Sequence, residues 1–516
     1  MTSSTAASGG SHAHAGPPDI KLDRNVLMVA GVVVLGAIMS ILDVTVVSVA
    51  QNTFQQEFGT DAAGSAWTMT GYTLALAAVI PLSSWAASRF GTKRVYLTSL
   101  VLFVLGSALC ALAWSIGSLV AFRVIQGLGG GLLMPIGMMI LTKAAGPERV
   151  GSVMAVLGIP MLLGPIAGPI LGGLLIEYAS WHWVFLINVP IGLVAIVYSA
   201  IVLRSDEETS KPKIDIVGLL LLSPGLALFL YGISSSNEEG TFIAPKVLIP
   251  AIVGLVLIVA FVFHALRADK PLLDLRLFKN RTLTVAVITM TLFMIAFFGA
   301  ALLFPQYYIG VRGQSTLMAG LLLAPQGIGA MITMPIAGRM TDKIGPGKFV
   351  LSGVVLMFLG LGTFVFLGAG TSYWLLSAAL FVQGLGMGMT MMPIMAAALA
   401  TLNNQQVPDG STMMNVVQQT ASSIGSAVIA VILATNLKSN SDAGLAIVSN
   451  TQPEKLGGLP VPDSAFDHAA TAFGHTFVVS AILIAVTLIP AFFLPRKKIQ
   501  SNLTEEDVNR APTMVH

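Results

Sequence analysis

The sequence contains few charged residues and almost no cysteine. Only 10% of its 516 residues are Asp, Glu, Lys or Arg, whereas a soluble globular protein carries about 25%. Because 55% of the residues are hydrophobic and the mean hydropathy is +0.83, most of the protein surface is expected to face lipid. The single cysteine, Cys110, excludes a disulfide within the chain. It lies in an apolar run, where a thiol is inert, and is interpreted as a packing residue.

Several functional motifs are also missing from the sequence. It contains no Gly-x-x-x-x-Gly-Lys-Ser/Thr loop, so ATP is not expected to supply energy. It has neither zinc-ligand spacing nor a hydrolase nucleophile elbow, so no enzyme activity, catalytic residue, metal or cofactor is expected. The net charge of +3 gives no reason to expect a nucleic-acid partner. An ion gradient remains as the energy source, and each charge crossing 100 mV provides about 2.3 kcal/mol.

Long apolar segments are abundant, and each is long enough to cross the hydrocarbon core of a bilayer, which requires roughly 20 residues. The pattern predicts an all-α integral membrane protein with fourteen transmembrane helices. The predicted spans are 26–50, 66–87, 95–114, 118–142, 150–178, 183–203, 215–234, 246–267, 284–309, 317–341, 348–368, 373–400, 410–435 and 474–495.

The positive charges indicate how these spans are oriented. Of the 27 Lys and Arg residues, 22 fall on one side of the predicted membrane and four on the other, while Arg123 lies within a span. Short loops rich in Lys and Arg stay in the cytoplasm. We therefore expect a multi-pass protein of the plasma (inner) membrane, with both termini in the cytoplasm.

Three short patterns occur twice along the chain, at nearly constant separation. They are Gln126-Gly-Leu-Gly and Gln383-Gly-Leu-Gly, Arg89-Phe-Gly and Lys343-Ile-Gly, and Gly151-Ser-Val-Met and Gly410-Ser-Thr-Met. The two members of each pair have the same predicted orientation in the membrane. This indicates a parallel duplication of the kind that transporters use. The predicted organisation is a cytoplasmic tail (1–25), a six-helix first half (26–203), two linking helices and a loop (204–283), a six-helix second half (284–495) with an external loop (436–473), and a second tail (496–516).

Four further motifs carry a resemblance to a known family. They are Leu42-Asp-Val-Thr45, Arg123-x-x-Gln-Gly127, the glycine- and proline-rich segment from Gly158 to Gly173, and the segment from Trp181 to Gly192. Over residues 26–495 the chain resembles the fourteen-span drug:proton antiporters (EmrB/QacA-like) of the major facilitator superfamily. The resemblance implies the major facilitator fold, two pseudo-symmetric six-helix halves plus two extra central helices, and export of apolar or cationic compounds in exchange for protons by alternating access.

Asp43 and Arg123 are the charged residues expected to couple transport to protons. An ionisable side chain inside a span is costly and usually functional. The first span runs outward and the fourth inward, so both charges are expected at similar depth, in the outer half of the membrane. Our hypothesis is that Asp43 exchanges a proton while Arg123 biases that equilibrium. A static ion pair between two helices is the alternative.

The fifth predicted span has a smooth face built from glycines at every fourth position. Gly164 and Gly168 belong to this face, which favours close helix packing, and Pro165 bends the helix. We expect a gating seal between the two halves here, and the resemblance implies that the motif marks antiporters. Ordinary close packing is the alternative.

A second gating element is predicted at the cytoplasmic ends of the spans. Gly338, Asp342 and Gly345 match the gating motif of the family, in which the aspartate caps a facing helix. In the first half Ser88, next to Arg89, stands where an aspartate is expected, and Ser84 where a glycine is expected. A serine accepts a cap hydrogen bond but carries no charge. The lock of the first half is therefore expected to be weaker.

Polar and adaptable side chains in apolar spans are the candidate substrate contacts, with packing as the alternative role. They are Gln126, Gln306, Tyr307, Gln326, Met387, Asn415, Gln418 and Gln419. The expected partners are small molecules, protons and the lipid bilayer, and a membrane-fusion partner protein remains open. The alternative functions are export of an endogenous lipid, siderophore or metabolite, and a membrane sensor that does not transport.

Overall fold

The computed structural model describes residues 23–146, 149–205, 212–439, 441–451, 456 and 461–497. Within them the chain is helical and forms no strand. The first half contains α1 (Arg24–Val49), α2 (Gln51–Phe58), α3 (Ala62–Val79), α4 (Ser83–Phe90), α5 (Thr92–Ala111), α6 (Ile116–Ala145), α7 (Val150–Tyr178), α8 (Trp183–Leu186) and α9 (Asn188–Val202).

The linking helices are α10 (Ile216–Glu239) and α11 (Pro245–Arg267). The second half contains α12 (Arg281–Gln306), α13 (Thr316–Ile344), α14 (Gly347–Phe364), α15 (Tyr373–Leu399), α16 (Val407–Lys438), α17 (Ser441–Thr451) and α18 (Asp463–Ala491).

Local sequence signals explain where several of these helices begin or bend. Asp23 caps α1 by accepting a hydrogen bond from the Val26 backbone N–H, and Ser115 and Ser118 form a capping box at the start of α6. Pro81 lies in a short 3₁₀ segment between α3 and α4, which together form the second span. Capping and proline therefore set the ends and bends of helices whose length follows from hydropathy.

The predicted number of spans is confirmed by the helices. Thirteen helical segments of the described chain are long and apolar enough to cross a membrane. The predicted fifth span is occupied by α7, which has 29 residues. An all-helical membrane protein with fourteen spans therefore accounts for the chain.

The repeated glycine motifs lie at equivalent close crossings in the two halves. A Cβ atom added to Gly127 on α6 would lie 2.6 Å from the carbonyl oxygen of Tyr72 on α3. A Cβ atom added to its repeat partner Gly384 on α15 would lie 2.0 Å from the carbonyl oxygen of Gln326 on α13. Both glycines are thus required where two backbones meet, which supports the duplication inferred from the sequence.

The two linking helices pack against each other and lie beside the joined halves. α10 contacts both α3 of the first half and α16 of the second half, and Trp67 on α3 stacks on Tyr231 of α10 with ring centroids 5.6 Å apart. α11 is mostly exposed, since only 17% of its most apolar stretch is buried inside the protein. Its apolar surface is therefore the surface that faces lipid.

The predicted external loop 436–473 is largely helical, which corrects the expectation from sequence. It contains α17 and the first turns of α18, which begins at Asp463 rather than at residue 474. Small side chains allow this packing, since Ala443, Ala446 and Ala469 are fully buried. Because the first turns of α18 contain polar residues, hydropathy alone placed the start of this helix too late in the sequence. The predicted tails fall mostly outside the described residues, which begin at Asp23 and end at residue 497.

Candidate functional site

Asp43 on α1 and Arg123 on α6 form an ion pair inside the first half. Arg123 Nη1 lies 2.5 Å from Asp43 Oδ2, and both side chains are fully buried. The two charges therefore lie at the same depth, as the opposite directions of the first and fourth spans predicted.

The Asp43 carboxylate is surrounded by hydrogen-bond donors. Its Oδ1 accepts from Gln126 Nε2 at 2.8 Å and from Asn188 Nδ2 at 3.0 Å, while Oδ2 accepts from Arg123. An ionised carboxylate only accepts hydrogen bonds, whereas a protonated one also donates. Three side chains from three other positions therefore donate to this one carboxylate.

The Arg123 guanidinium is fixed on three sides. Its Nε donates to the carbonyl oxygen of Thr68 at 3.0 Å, and its Nη1 also donates to Gln126 Oε1 at 2.8 Å. The guanidinium carbon lies 4.1 Å from the centroid of the Tyr72 ring, a contact that favours a positive charge. The fork of the arginine thus links α1, α3 and α6 through one side chain.

Sequence reasoning missed two side chains of this network. Asn188, at the start of α9, binds Asp43 and also donates to Ser107 Oγ at 3.1 Å. Tyr72 forms the aromatic face below Arg123. Asn188 lies inside the motif from Trp181 to Gly192, where it is a polar residue in an apolar run, and this was the signal that could have identified it. Cys110 Sγ lies 3.6 Å from Gln126 Oε1, so it borders the network and is more than a packing residue.

Where the structure describes the second half, the positions that repeat Arg123 and Gln126 carry no charge. In the repeat, Gln383 is equivalent to Gln126 and Leu380 is equivalent to Arg123. Gln383 accepts a hydrogen bond from Gln326 Nε2 at 3.2 Å, within the second half, and Leu380 is fully buried. The repeat therefore did not preserve the charge of Arg123 at its equivalent position in the second half.

The glycine face of α7 is turned toward α1 rather than toward the second half. A Cβ atom at Gly164 would lie 2.0 Å from Ile41 Cγ2, and one at Gly168 would lie 2.0 Å from Thr45 Oγ1. These contacts flank Asp43 in sequence, so the smooth face packs on the helix that carries the buried acid. α7 reaches α13 through other residues, including Gly151 and Gly158. Pro165 lies in α7, but its side chain is outside the described part of the chain.

At the predicted cytoplasmic ends of the spans, Asp342 of α13 caps α7 across the two halves. Its carboxylate accepts hydrogen bonds from the backbone N–H groups of Gly151 at 2.8 Å and Ser152 at 2.9 Å, and from Ser152 Oγ at 2.7 Å. Negative charge at a helix N-terminus is stabilising. A Cβ atom at Gly338 would lie 2.6 Å from the Gly151 carbonyl oxygen, so this glycine permits the approach.

Gly345 ends α13 with a φ of 91°, a conformation that favours glycine. A Cβ atom there would also lie 2.4 Å from the carbonyl oxygen of Lys497. The third residue of the predicted gating motif thus shapes the turn, while Asp342 makes the contact between the halves.

In the first half, Ser84 contacts the facing half. Ser84 Oγ donates to Asp409 Oδ1 in the first turn of α16, and one turn of α16 further on Thr412 hydrogen-bonds Ser83 at 2.7 Å. Ser88 is half-buried and Arg89 is exposed at the end of α4. Asp409 was not identified from the sequence. These contacts, with those of Asp342, join the two halves at the predicted cytoplasmic ends of their helices.

The eight candidate substrate residues do not form one site. Tyr307 Oη donates to the Gly368 carbonyl oxygen at 2.9 Å and Gln306 is exposed, while Gln126 and Gln326 belong to the networks described above. Asn415 Nδ2 donates across the halves to Met138 Sδ at 3.1 Å. The remaining three lie on α15 and α16: Met387 is buried, and Gln418 and Gln419 are half-buried.

Fourteen spanning helices in two repeated halves, together with the buried Asp43–Arg123 ion pair, define a membrane transporter. The pattern of the Major Facilitator Superfamily matches residues 33–426, and the chain belongs to that superfamily. It is therefore a multi-pass membrane transporter rather than an enzyme.

Individual relatives extend this similarity over nearly the whole chain. The sequence is 47% identical to the multidrug resistance protein B homolog of Mycobacterium tuberculosis (strain ATCC 25618 / H37Rv), over 93% of this chain and 92% of that protein. It is 31% identical to the multidrug export protein EmrB of Escherichia coli (strain K12), over 76% and 77%. It is 30% identical to the lincomycin resistance protein LmrB of Bacillus subtilis (strain 168), over 90% and 95%.

Solved structures with low sequence identity share the fold. The proton:xylose symporter XylE superposes with a TM-score of 0.55 at 15% identity, covering 89% of this chain and 95% of that one. The human organic anion transporter MFSD10 gives a TM-score of 0.58 at 16% identity, covering 91% and 100%.

Proposed function

We propose that this transporter exports apolar or cationic drugs from the cytoplasm in exchange for protons, and that Asp43 carries the proton. The names of the relatives, which include multidrug resistance, multidrug export and lincomycin resistance proteins, support export of drugs. The observation that carries proton coupling is the fully buried Asp43–Arg123 pair.

A buried ion pair is costly, which supports a role beyond packing. A charged side chain at the centre of a span costs about 2.5–3.5 kcal/mol on insertion scales, and well-packed apolar residues often replace such a pair without loss of stability. The second half shows this replacement, since Leu380 stands where the repeat places Arg123. The first half retains its charges at a position where the fold does not require them.

Protonation of Asp43 would disturb every contact that it makes. A proton converts one carboxyl oxygen from an acceptor into a donor and removes the charge that attracts Arg123. Gln126 Nε2, Asn188 Nδ2 and Arg123 Nη1 all donate to this carboxylate, so one of them must move. We propose that this rearrangement couples the proton to the change between outward and inward access.

The packing of α1 offers a path from this site to the interface between the halves. α1 carries Asp43 and lies on the glycine face of α7 formed by Gly164 and Gly168, and α7 in turn contacts α13. Small residues let two helix backbones approach closely, so α1 and α7 form a tight contact. In this proposal α1 and α7 move together, with Pro165 in the moving helix.

The cytoplasmic contacts would then act as gates. In the structure Asp342 caps α7 from the second half, and we propose that this contact closes the predicted cytoplasmic side. We propose that opening breaks this cap, with Gly338 and Gly345 shaping the contact, and that the α4 end with Ser88 and Arg89 moves as its counterpart.

The proposed substrate contacts are the candidates on α15 and α16, namely Met387, Asn415, Gln418 and Gln419. Asn415 already touches Met138 of the first half, so this helix surface lies where the halves meet. Methionine provides an adaptable apolar surface suited to varied ligands, and the amides add hydrogen-bonding groups.

The test uses proteoliposomes with a trapped pH dye and an imposed proton gradient. Cationic dyes and neutral drugs are added in turn to the native protein and to Asp43→Asn. We expect substrate-triggered proton flux that falls at least about tenfold in Asp43→Asn, because the amide is not protonated in its place. The control Asp269→Asn changes an exposed loop carboxylate and keeps full flux. Native flux in folded Asp43→Asn would refute the role of Asp43.

A further inference from the structure

The two contacts that close the cytoplasmic side are related by the internal repeat, but their charges are arranged differently. The start of α7 repeats as the start of α16, and the end of α13 corresponds to the end of α4. In one contact the carboxylate, Asp342, is on α13 and the hydroxyl, Ser152, is on α7. In the other, the carboxylate, Asp409, is on α16 and the hydroxyl, Ser84, is on α4. The acid and the hydroxyl have exchanged helices.

Asp409 lies where three parts of the chain meet. It lies in the first turn of α16, where the helix dipole stabilises a negative charge. It is partly buried and accepts from Ser84 across the interface. Asp274, in the connection between α11 and α12, also faces it and provides a backbone N–H together with a like charge. The carboxylate thus touches the first half, the second half and the segment that joins them.

We infer that Asp409 supplies, from the facing helix, the gate charge that Ser88 lacks, and that the Ser84–Asp409 contact locks the first-half gate in the closed state. A serine at position 88 therefore does not leave that gate weak. The two gates also differ in kind. Asp342 accepts from two backbone N–H groups, whereas the donor to Asp409 across the halves is the Ser84 side chain. A single substitution at Ser84 removes the cross-half donor.

This inference depends on the alternating access of the family and is independent of proton coupling through Asp43. Its test therefore measures gate opening directly rather than transport. Ser411→Cys places a reporter thiol at a fully buried position on α16 beside this gate, and the natural Cys110 is buried. A membrane-impermeant maleimide is applied to the cytoplasmic face of inside-out vesicles, and the labelling rate reports opening.

In the reporter background we expect Asp409→Asn and Ser84→Ala to raise the labelling rate by about tenfold, since a hydrogen bond to a charged group is lost. The control Asp269→Asn leaves the rate unchanged. Two rescue variants separate a lock from general loss of structure. Ser84→Asp combined with Asp409→Ser exchanges the two groups, and Ser88→Asp combined with Asp409→Asn moves the charge to the position expected from the family.

Recovery of slow labelling in either rescue variant supports the lock, because neither restores the original residue at position 409. The inference is overturned if Asp409→Asn labels at the parental rate, or if the rate rises and neither rescue lowers it in protein with native thermal stability. The Asp43→Asn variant is labelled in parallel. If Asp43→Asn loses proton coupling while Asp409→Asn still raises the labelling rate, the gate proposal and the proton-coupling proposal are independent of each other.

Discussion

Asp43 Oδ2 and Arg123 Nη1 lie 2.5 Å apart between two antiparallel helices, and neither side chain is exposed. The pair is held by further bonds from Arg123 to the Thr68 carbonyl oxygen and to Gln126. Two nitrogens of one guanidinium, Nε and Nη1, make these bonds, so the shape of the side chain matters as well as its charge.

Arg123→Lys is expected to reduce substrate-driven proton flux by at least about tenfold although the positive charge is kept. A lysine has one nitrogen and lacks the planar fork, so it does not bind Asp43, Gln126 and the Thr68 carbonyl oxygen in the same geometry. Flux in proteoliposomes is the measurement, with the exposed Arg267→Lys as the matched control. Equal flux in both variants would mean that charge suffices at position 123.

The contact between α1 and α7 predicts opposite outcomes for two glycines of one helix. Gly168→Ala brings a Cβ atom to 2.0 Å from Thr45 Oγ1, whereas Gly173→Ala meets nothing within 4 Å. We expect Gly168→Ala to lose about 1–3 kcal/mol of stability through overpacking and to slow transport, while Gly173→Ala keeps both. Thermal unfolding in detergent and drug efflux are the measurements. A silent Gly168→Ala would show that α1 and α7 are not tightly apposed.

Asp23 gives a prediction for pH dependence at the start of α1. The hydrogen bond from the Val26 backbone N–H, helped by Arg149, holds the pKa of Asp23 below its ordinary value of 3.8. Because the folded state lowers this pKa, the stabilisation is present above 3.8 and is lost as the pH falls through the lowered pKa. We expect Asp23→Ala to speed hydrogen exchange at the Val26 amide at neutral pH. A difference that persists fully below the lowered pKa would contradict the cap.

The fold was predictable because lipid imposes strong rules on sequence. Hydropathy located thirteen of the fourteen spans to within a few residues, and only the start of α18 was misplaced, by about three helical turns. The depth of Asp43 and Arg123 followed from the opposite directions of their helices. The positions of the spans and the depth of a residue depend only on distance along the chain and on the direction in which each helix crosses the membrane.

Contacts between distant helices were less accessible to sequence reasoning. The direction of the Gly164–Gly168 face depends on the rotation of α7 about its axis, and a pattern of glycines on one face does not say which neighbour it meets. Asp409 was missed because its partner, Ser84, is remote in sequence and the family pattern places the acid on the other helix. Asn188 was present in a quoted motif, but its reach to Asp43 requires the packing of α9 on α1.

The position of α10 makes the two seams between the halves unequal. On one side α10 touches both α3 and α16, so it covers the line along which the halves separate. On the other side α7 meets α13, and no described helix lies over that line as α10 does. Side chains of α13 such as Ile328, Met331 and Ile332 are exposed. A compound dissolved in the bilayer therefore meets one contact between the halves that α10 covers. It meets another, between α7 and α13, that no described helix covers in this way.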